Sequence, residues 1–184
     1  WSFCRFTPPV ADSLIVDSLA QEGSIVFRKV KRAYGRSQQY SRCRVFFGHQ
    51  QRPVKLELSI DGGIPEFREF EAGNALRIAD FNLGSPTSVK LTFIGADSPE
   101  VYGVSFESVN GVVVDNIAAR GAGGTELRKI DKGLLAAMYD ALDVKLLILQ
   151  YGGNAVPYID GPAAAEEYAS WVGSQIVAIK KLCP

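Results

Sequence analysis

Val112-Val113-Val114-Asp115-Asn116-Ile117-Ala118-Ala119-Arg120-Gly121-Ala122-Gly123-Gly124, followed further along by Lys145-Leu146-Leu147-Ile148-Leu149-Gln150-Tyr151-Gly152-Gly153-Asn154, is the pair of stretches on which the fold turns. Each is a continuous apolar run ending in a glycine-rich loop, the pattern of a strand buried on both faces. Between them Leu127, Ile130, Leu134, Leu135, Met138 and Leu142 recur at helical spacing, with Thr125 placed to cap and Asp143 near the exit. Strand, helix and strand predict a right-handed βαβ unit with parallel strands, so both loops leave the same sheet edge, where open α/β sheets place their ligands. After Gly161-Pro162 a second helix is expected from Ala163 to Leu182, burying Tyr168, Trp171, Val172, Ile176, Ile179 and Leu182.

Everything upstream obeys a different grammar. From Trp1 to Ser108, short period-two runs alternate with turn residues, which predicts an antiparallel β-sandwich. The expected strands are Ser2–Thr7, Ser13–Leu19, Ser24–Lys31, Ser41–Gly48, Val54–Ile60, Glu66–Glu71, Ala75–Phe81, Ser88–Ile94 and Tyr102–Ser108. Asp61-Gly62-Gly63 signals a hairpin, because glycine enters positive φ at no steric cost. Lys55, Glu57 and Ser59 interleave with Val54, Leu56, Leu58 and Ile60, giving that strand one wet and one apolar face. The expected organisation is thus mixed α+β: a sandwich over 1–108, and a partial α/β domain over 109–184 whose other strands come from outside this sequence.

Composition narrows the partners. With 184 residues and 47% apolar content the chain can bury a core, while 20 basic and 20 acidic residues leave no net field toward nucleic acid or an anionic membrane. The apolar runs are strand-sized and far short of the ~20 residues that span a bilayer. The start at Trp1, with no leader pattern behind it, suggests a cut chain. Cys4, Cys43 and Cys183 form no C-x-x-C pair, which argues against zinc; Cys4 and Cys43 could meet across the sheet, or each be a small buried apolar side chain.

Asp115 to Gly124 together with Leu147 to Asn154 resembles the second and third sequence blocks of the SGNH hydrolases, or GDSL esterases. The resemblance implies a flavodoxin-like three-layer α/β domain and a serine esterase needing no metal or cofactor. It also implies that Gly121 and Asn154 donate to the oxyanion, with Arg120 and Gly153 beside the substrate. Two or three preorganised N–H donors suit that chemistry independently of the likeness. The family's Gly-Asp-Ser nucleophile and its late Asp-x-x-His are missing: Ile94-Gly95-Ala96-Asp97-Ser98 approximates the first but runs into Pro99, and His49 is the sole histidine. The nucleophile, aspartate and base would then lie outside this chain, leaving the segment inactive alone.

Some secreted bacterial members that deacetylate peptidoglycan or other polysaccharides carry a sandwich between their first and second blocks. The implied setting is secreted, periplasmic or on the cell surface. A sandwich beside such a site could hold a glycan on exposed aromatics, for which Tyr34, Tyr40, Phe67 and Phe70 are candidates, and Arg32, Arg36 and Arg42 could meet polymer carboxylates. Another class remains open, a non-catalytic carbohydrate-binding or adhesion module in which the βαβ part is only scaffold.

Overall fold

The computed structural model describes residues 22–30, 35–116, 123–124 and 130–182. Contacts divide the chain into two compact units that part after Asp115. The expected strands Ser2–Thr7 and Ser13–Leu19, and the residues Cys4, Arg32, Tyr34, Arg120, Gly121 and Thr125, lie outside the described residues.

In the first unit the strands are β1 (Glu22–Arg28), β2 (Arg42–Gly48), β3 (Val54–Ile60), β4 (Glu66–Phe70), β5 (Arg77–Asn82), β6 (Ser88–Ile94) and β7 (Glu100–Glu107), with a 3-10 turn at Gly35–Gln38. They form a four-stranded sheet, β1-β6-β3-β4, and a three-stranded sheet, β5-β2-β7, both antiparallel. Alternation dictates what each sheet hides. Val54, Leu56 and Leu58 of β3, Val89 and Leu91 of β6, Cys43, Val45 and Phe47 of β2, and Ala79 and Phe81 of β5 meet in one buried cluster. Phe47 anchors it edge-on to Phe70 (centroids 4.9 Å apart) and to Phe93 (5.7 Å). Each such side chain contributes roughly 1.5–3 kcal/mol by leaving water. Cys43 inside this cluster is a free thiol.

Turn chemistry sets the registers. Asp61 and Gly62 both take left-handed φ, 50° and 77°, and Gly63 N donates to Ile60 O at 2.8 Å, so the chain reverses tightly between β3 and β4. The Asp61 carboxylate then accepts from Ser88 N (2.7 Å), Thr87 N (3.1 Å) and the Thr87 hydroxyl, tying this hairpin to the start of β6. These bonds, led by the Thr87 hydroxyl, hold the carboxyl below the usual aspartate range. In β7 the pairing with β2 slips between Phe46 and Phe47, the signature of a bulge.

The stretch after Asn110 departs from expectation. Helix α1 covers Lys132–Ala141 and starts at Asp131, whose side chain accepts from Leu134 N at 2.7 Å, and α2 covers Pro162–Leu182 with proline in its first turn. Val112–Val114 and Lys145–Gln150, however, form no strand, so among the described residues the predicted parallel pair and its three-layer arrangement are not built. Val112 (92% exposed) and Ile148 (79% exposed) show why. Runs without alternation need apolar layers on both faces and hydrogen-bonded neighbours on both edges, and two strands alone are too few to supply them. Leu135 and Met138 of α1 are buried, whereas no described α2 side chain is.

Candidate functional site

The outward face of the four-stranded sheet is built by register. Phe67 of β4 stands opposite Glu57 of β3, Glu57 opposite Thr92 of β6, and Thr92 opposite Ser24 of β1. The adjacent row, one outward position along, is Glu69, Lys55, Ile94 and Glu22. These residues point away from the core because Val54, Leu56 and Leu58 point into it. Lys55 Nζ lies 4.6 Å from the centre of the Phe67 ring and 2.6 Å from Glu57 Oε1, so one ammonium engages both the ring and the carboxylate. Phe67 nevertheless stays 53% exposed. A cavity of about 270 Å³ opens beside it, lined by Pro53, Val54, Lys55, Glu69, Phe70, Glu71 and Ile94.

The other proposed aromatics occupy different places. Tyr40 is half-buried, with its ring 5.1 Å from that of Phe106 and its hydroxyl 3.5 Å from Pro86 O, so it packs against the core and offers no open platform. Burial, aided by Asp61 and Cys43, raises its pKa. Phe70 also packs on the core cluster. Arg42, proposed to meet polymer carboxylates, is already paired: its Nε donates to Asp80 Oδ1 at 2.9 Å and its Nη2 to Oδ2, and those bonds push the Asp80 carboxyl down and the Arg42 guanidinium up. His49 Nδ1 sits 3.2 Å from Glu100 Oε2 at a sheet corner with φ 54°. Ser98 is followed by Pro99 and then β7, without a helix, so no nucleophile elbow forms there.

In the second unit Gly153 and Asn154 line a cavity of about 270 Å³ with Gln150, Tyr151 and Gly152. The first glycine loop reaches this one. A Cβ on Gly124 (φ 90°) would stand 3.1 Å from the Tyr151 ring and 3.4 Å from Trp171, and Tyr168 donates to Gly123 O at 3.0 Å. Glycine is required at 124 both for its left-handed φ and for that close approach. The two loops are therefore neighbours, while Gly121 and Arg120 themselves fall outside the described residues.

The described residues hold no grouping of three or more His, Cys, Asp and Glu able to bind a metal, and no helix among them is long and apolar enough to cross a membrane. No family model matches this chain, and neither does any curated protein. Among solved structures, the chain is similar to TmCBM61, solved in complex with β-1,4-galactotriose, at 18% identity over 47% of this chain and 62% of that one, with a TM-score of 0.33. It is also similar to the CBM51-2 and INT domains of Clostridium perfringens ZmpB (11% identity, 84% of this chain, 34% of that one, TM-score 0.34). A third is the 4-O-methyl-α-glucuronidase BtGH115A, specific for decorated arabinogalactans (14% identity, 48% of this chain, 13% of that one, TM-score 0.31). The chain spans less than two thirds of each. No family follows from likenesses this distant.

Lys55, Glu57 and Glu69 were not among the site residues proposed from sequence. The signal was present, since Lys55-x-Glu57-x-Ser59 marks a water-facing stripe, but only the pairing of β3 with β4 sets Phe67 beside it.

Proposed function

We propose that the sandwich is a carbohydrate-binding module whose platform is the outward face of the four-stranded sheet. The observation that carries this is Phe67: a half-open aromatic ring on a sheet face, held by Lys55 and flanked by Glu57. A pyranose turns a face of weakly positive C–H groups outward, which complements the negative face of an aromatic ring, while its rim of hydroxyls donates to carboxylates. A ring fixed before binding loses little rotamer freedom on contact. Such a role places the protein outside the cell, in the periplasm or on the cell surface, with a polysaccharide or peptidoglycan as partner.

Affinity electrophoresis of the protein through gels containing individual soluble polysaccharides tests the proposal. At least one polymer should retard migration, and Phe67→Ala should weaken that retardation about tenfold without altering the circular dichroism. Unaltered retardation in Phe67→Ala would take the platform away from this face.

A second reading is favoured by one observation, the meeting of Gly124 with Tyr151, which brings Gly123 and Gly124 beside the loop of Asn154. In an SGNH-type esterase those loops supply oxyanion donors, and a longer protein carrying them would add the serine, aspartate and histidine. In such a protein Asn154→Ala should lower the turnover of p-nitrophenyl acetate about 100-fold with little change in KM. Equal turnover would remove Asn154 from the chemistry.

A further inference from the structure

The same sheet face also selects by charge. We infer that it takes uncharged glycans and rejects those bearing uronates, an inference that rests on the binding role proposed for the Phe67 platform. Four ionisable groups surround the ring and its cavity. Lys55 is the only cation among them, and it is engaged twice, over the Phe67 ring and with Glu57 at 2.6 Å. Glu69 stands across from Lys55 on the edge strand, and Glu71 lies at the cavity rim; both are exposed. Three carboxylates thus face one ammonium.

Other charges on this face lie further away. Lys90 of β6 is opposite Ser59, two strands across from Phe67 and one outward position along, which puts it about 12 Å from the ring in a sheet of ordinary spacing. That exceeds the screening length of ~8 Å at physiological salt. Arg28 lies at the far end of β1, opposite Ser88, and Glu22, opposite Ile94, adds negative charge on the cavity's row. Exposed Arg52 precedes the cavity-lining Pro53, whereas Arg68 and Glu66 stand opposite Leu56 and Leu58, on the core-facing side of the sheet, and pair with each other. Among the described residues, the carboxylates Glu57, Glu69 and Glu71 outnumber the cations Lys55 and Arg52 around the platform.

Chemistry follows from that field. Carboxylates accept hydrogen bonds from sugar hydroxyls, and charge assistance makes those bonds stronger than neutral ones. A uronate brought to the same place meets carboxylates that outnumber the cations beside it. The cavity walls contribute contact area from Pro53 and Ile94, which suits a second, unsubstituted sugar next to the one stacked on Phe67. The row from Phe67 through Glu57 is bounded on β6 by Thr92, which is only 8% exposed, about 10 Å from Phe67 at two strand spacings, room for roughly two pyranose rings.

The experiment compares polymers that share a backbone and differ in charge, such as hydroxyethyl cellulose with carboxymethyl cellulose and dextran with carboxymethyl dextran. Alongside these, methyl-esterified galacturonan is set against its de-esterified form. Dissociation constants come from affinity electrophoresis at a low salt of ~0.1 M, where Lys90 is still beyond the screening length, and at ~0.5 M salt. For any backbone that binds, the uncharged form should bind about tenfold more tightly at low salt, and the gap should close at high salt. The double variant Glu69→Gln, Glu71→Gln should keep its affinity for the uncharged form and lose most of the discrimination. Equal or tighter binding of the charged form at low salt overturns the inference while leaving the binding role intact. Discrimination unchanged in the double variant overturns its assignment to these carboxylates. Absence of retardation by every polymer removes the binding role and the inference together.

Discussion

Both halves of this chain are rich in aliphatic side chains, yet they use them differently. In the sandwich, apolar residues alternate with polar ones: Leu56 and Leu58 are buried while Lys55 and Glu57 face water, and the described strands share one buried cluster. In 116–182 the run from Lys145 to Gln150 is apolar without alternation, and Leu146 and Ile148 stand exposed with no strand beside them. Alternation needs one partner layer and a continuous run needs two, so the same hydrophobicity yields a finished unit in one case and an open one in the other.

The largest expected effect concerns Cys43. Burial, followed by the nearby Asp80 and Glu107 carboxylates, pushes its thiol up to about 12. At pH 8 its thiolate fraction is about a thousandfold below that of an ordinary thiol, and modification by a disulfide reagent, mapped to Cys43 by mass spectrometry, should await unfolding. Fast labelling of Cys43 in native protein would show that the sandwich opens locally.

Truncation compares the two regions directly. Leu56→Ala should lower the free energy of unfolding by about 3 kcal/mol in urea, because a completed core leaves a cavity behind. The matching change Ile148→Ala should cost less than about 0.5 kcal/mol, since that side chain is already in water. Comparable losses would mean that Ile148 is buried in solution. Asp131→Ala removes the cap of α1 and should cost about 1 kcal/mol, visible as reduced helical ellipticity and earlier unfolding of the second unit.

The smallest effect is electrostatic. Asp61 carries a lowered pKa because Thr87 and Ser88 donate to its carboxylate, so the unfolded chain binds its proton more readily than the folded one. Its stabilisation is present above the ordinary value of 3.8 and is lost as pH falls below 3.8 through the lowered folded value. Asp61→Asn should flatten that acid limb in urea titrations while leaving the trend at neutral pH unchanged. A limb of unaltered slope would mean that other carboxylates govern acid unfolding.

Much of the sandwich was legible from local pattern. The limits expected for β3 and β6 coincide with those observed, and Asp61-Gly62 makes the predicted turn, because period-two alternation and turn residues act over a few neighbours. The helix of the second unit was also legible, although its start at Asp131 is later than the expected cap. The candidate site was legible in part. Asn154 and Gly153 do share a cavity, but Tyr40 went into the core and Phe67 stayed out, a choice that composition and spacing leave open.

Sequence alone determined that alternating segments would form an antiparallel sandwich, and it offered both Phe67 and Phe70, three apart on one strand, as exposed aromatics. Only the tertiary structure decided which of the two looks inward. The register of β4 on β3 sets Phe70 opposite Val54, against the core, and Phe67 opposite Glu57, toward water. Likewise the apolar content of Val112–Val114 and Lys145–Gln150 is a local property, whereas strand formation depends on neighbours, because a strand's hydrogen bonds go to other segments and not to itself.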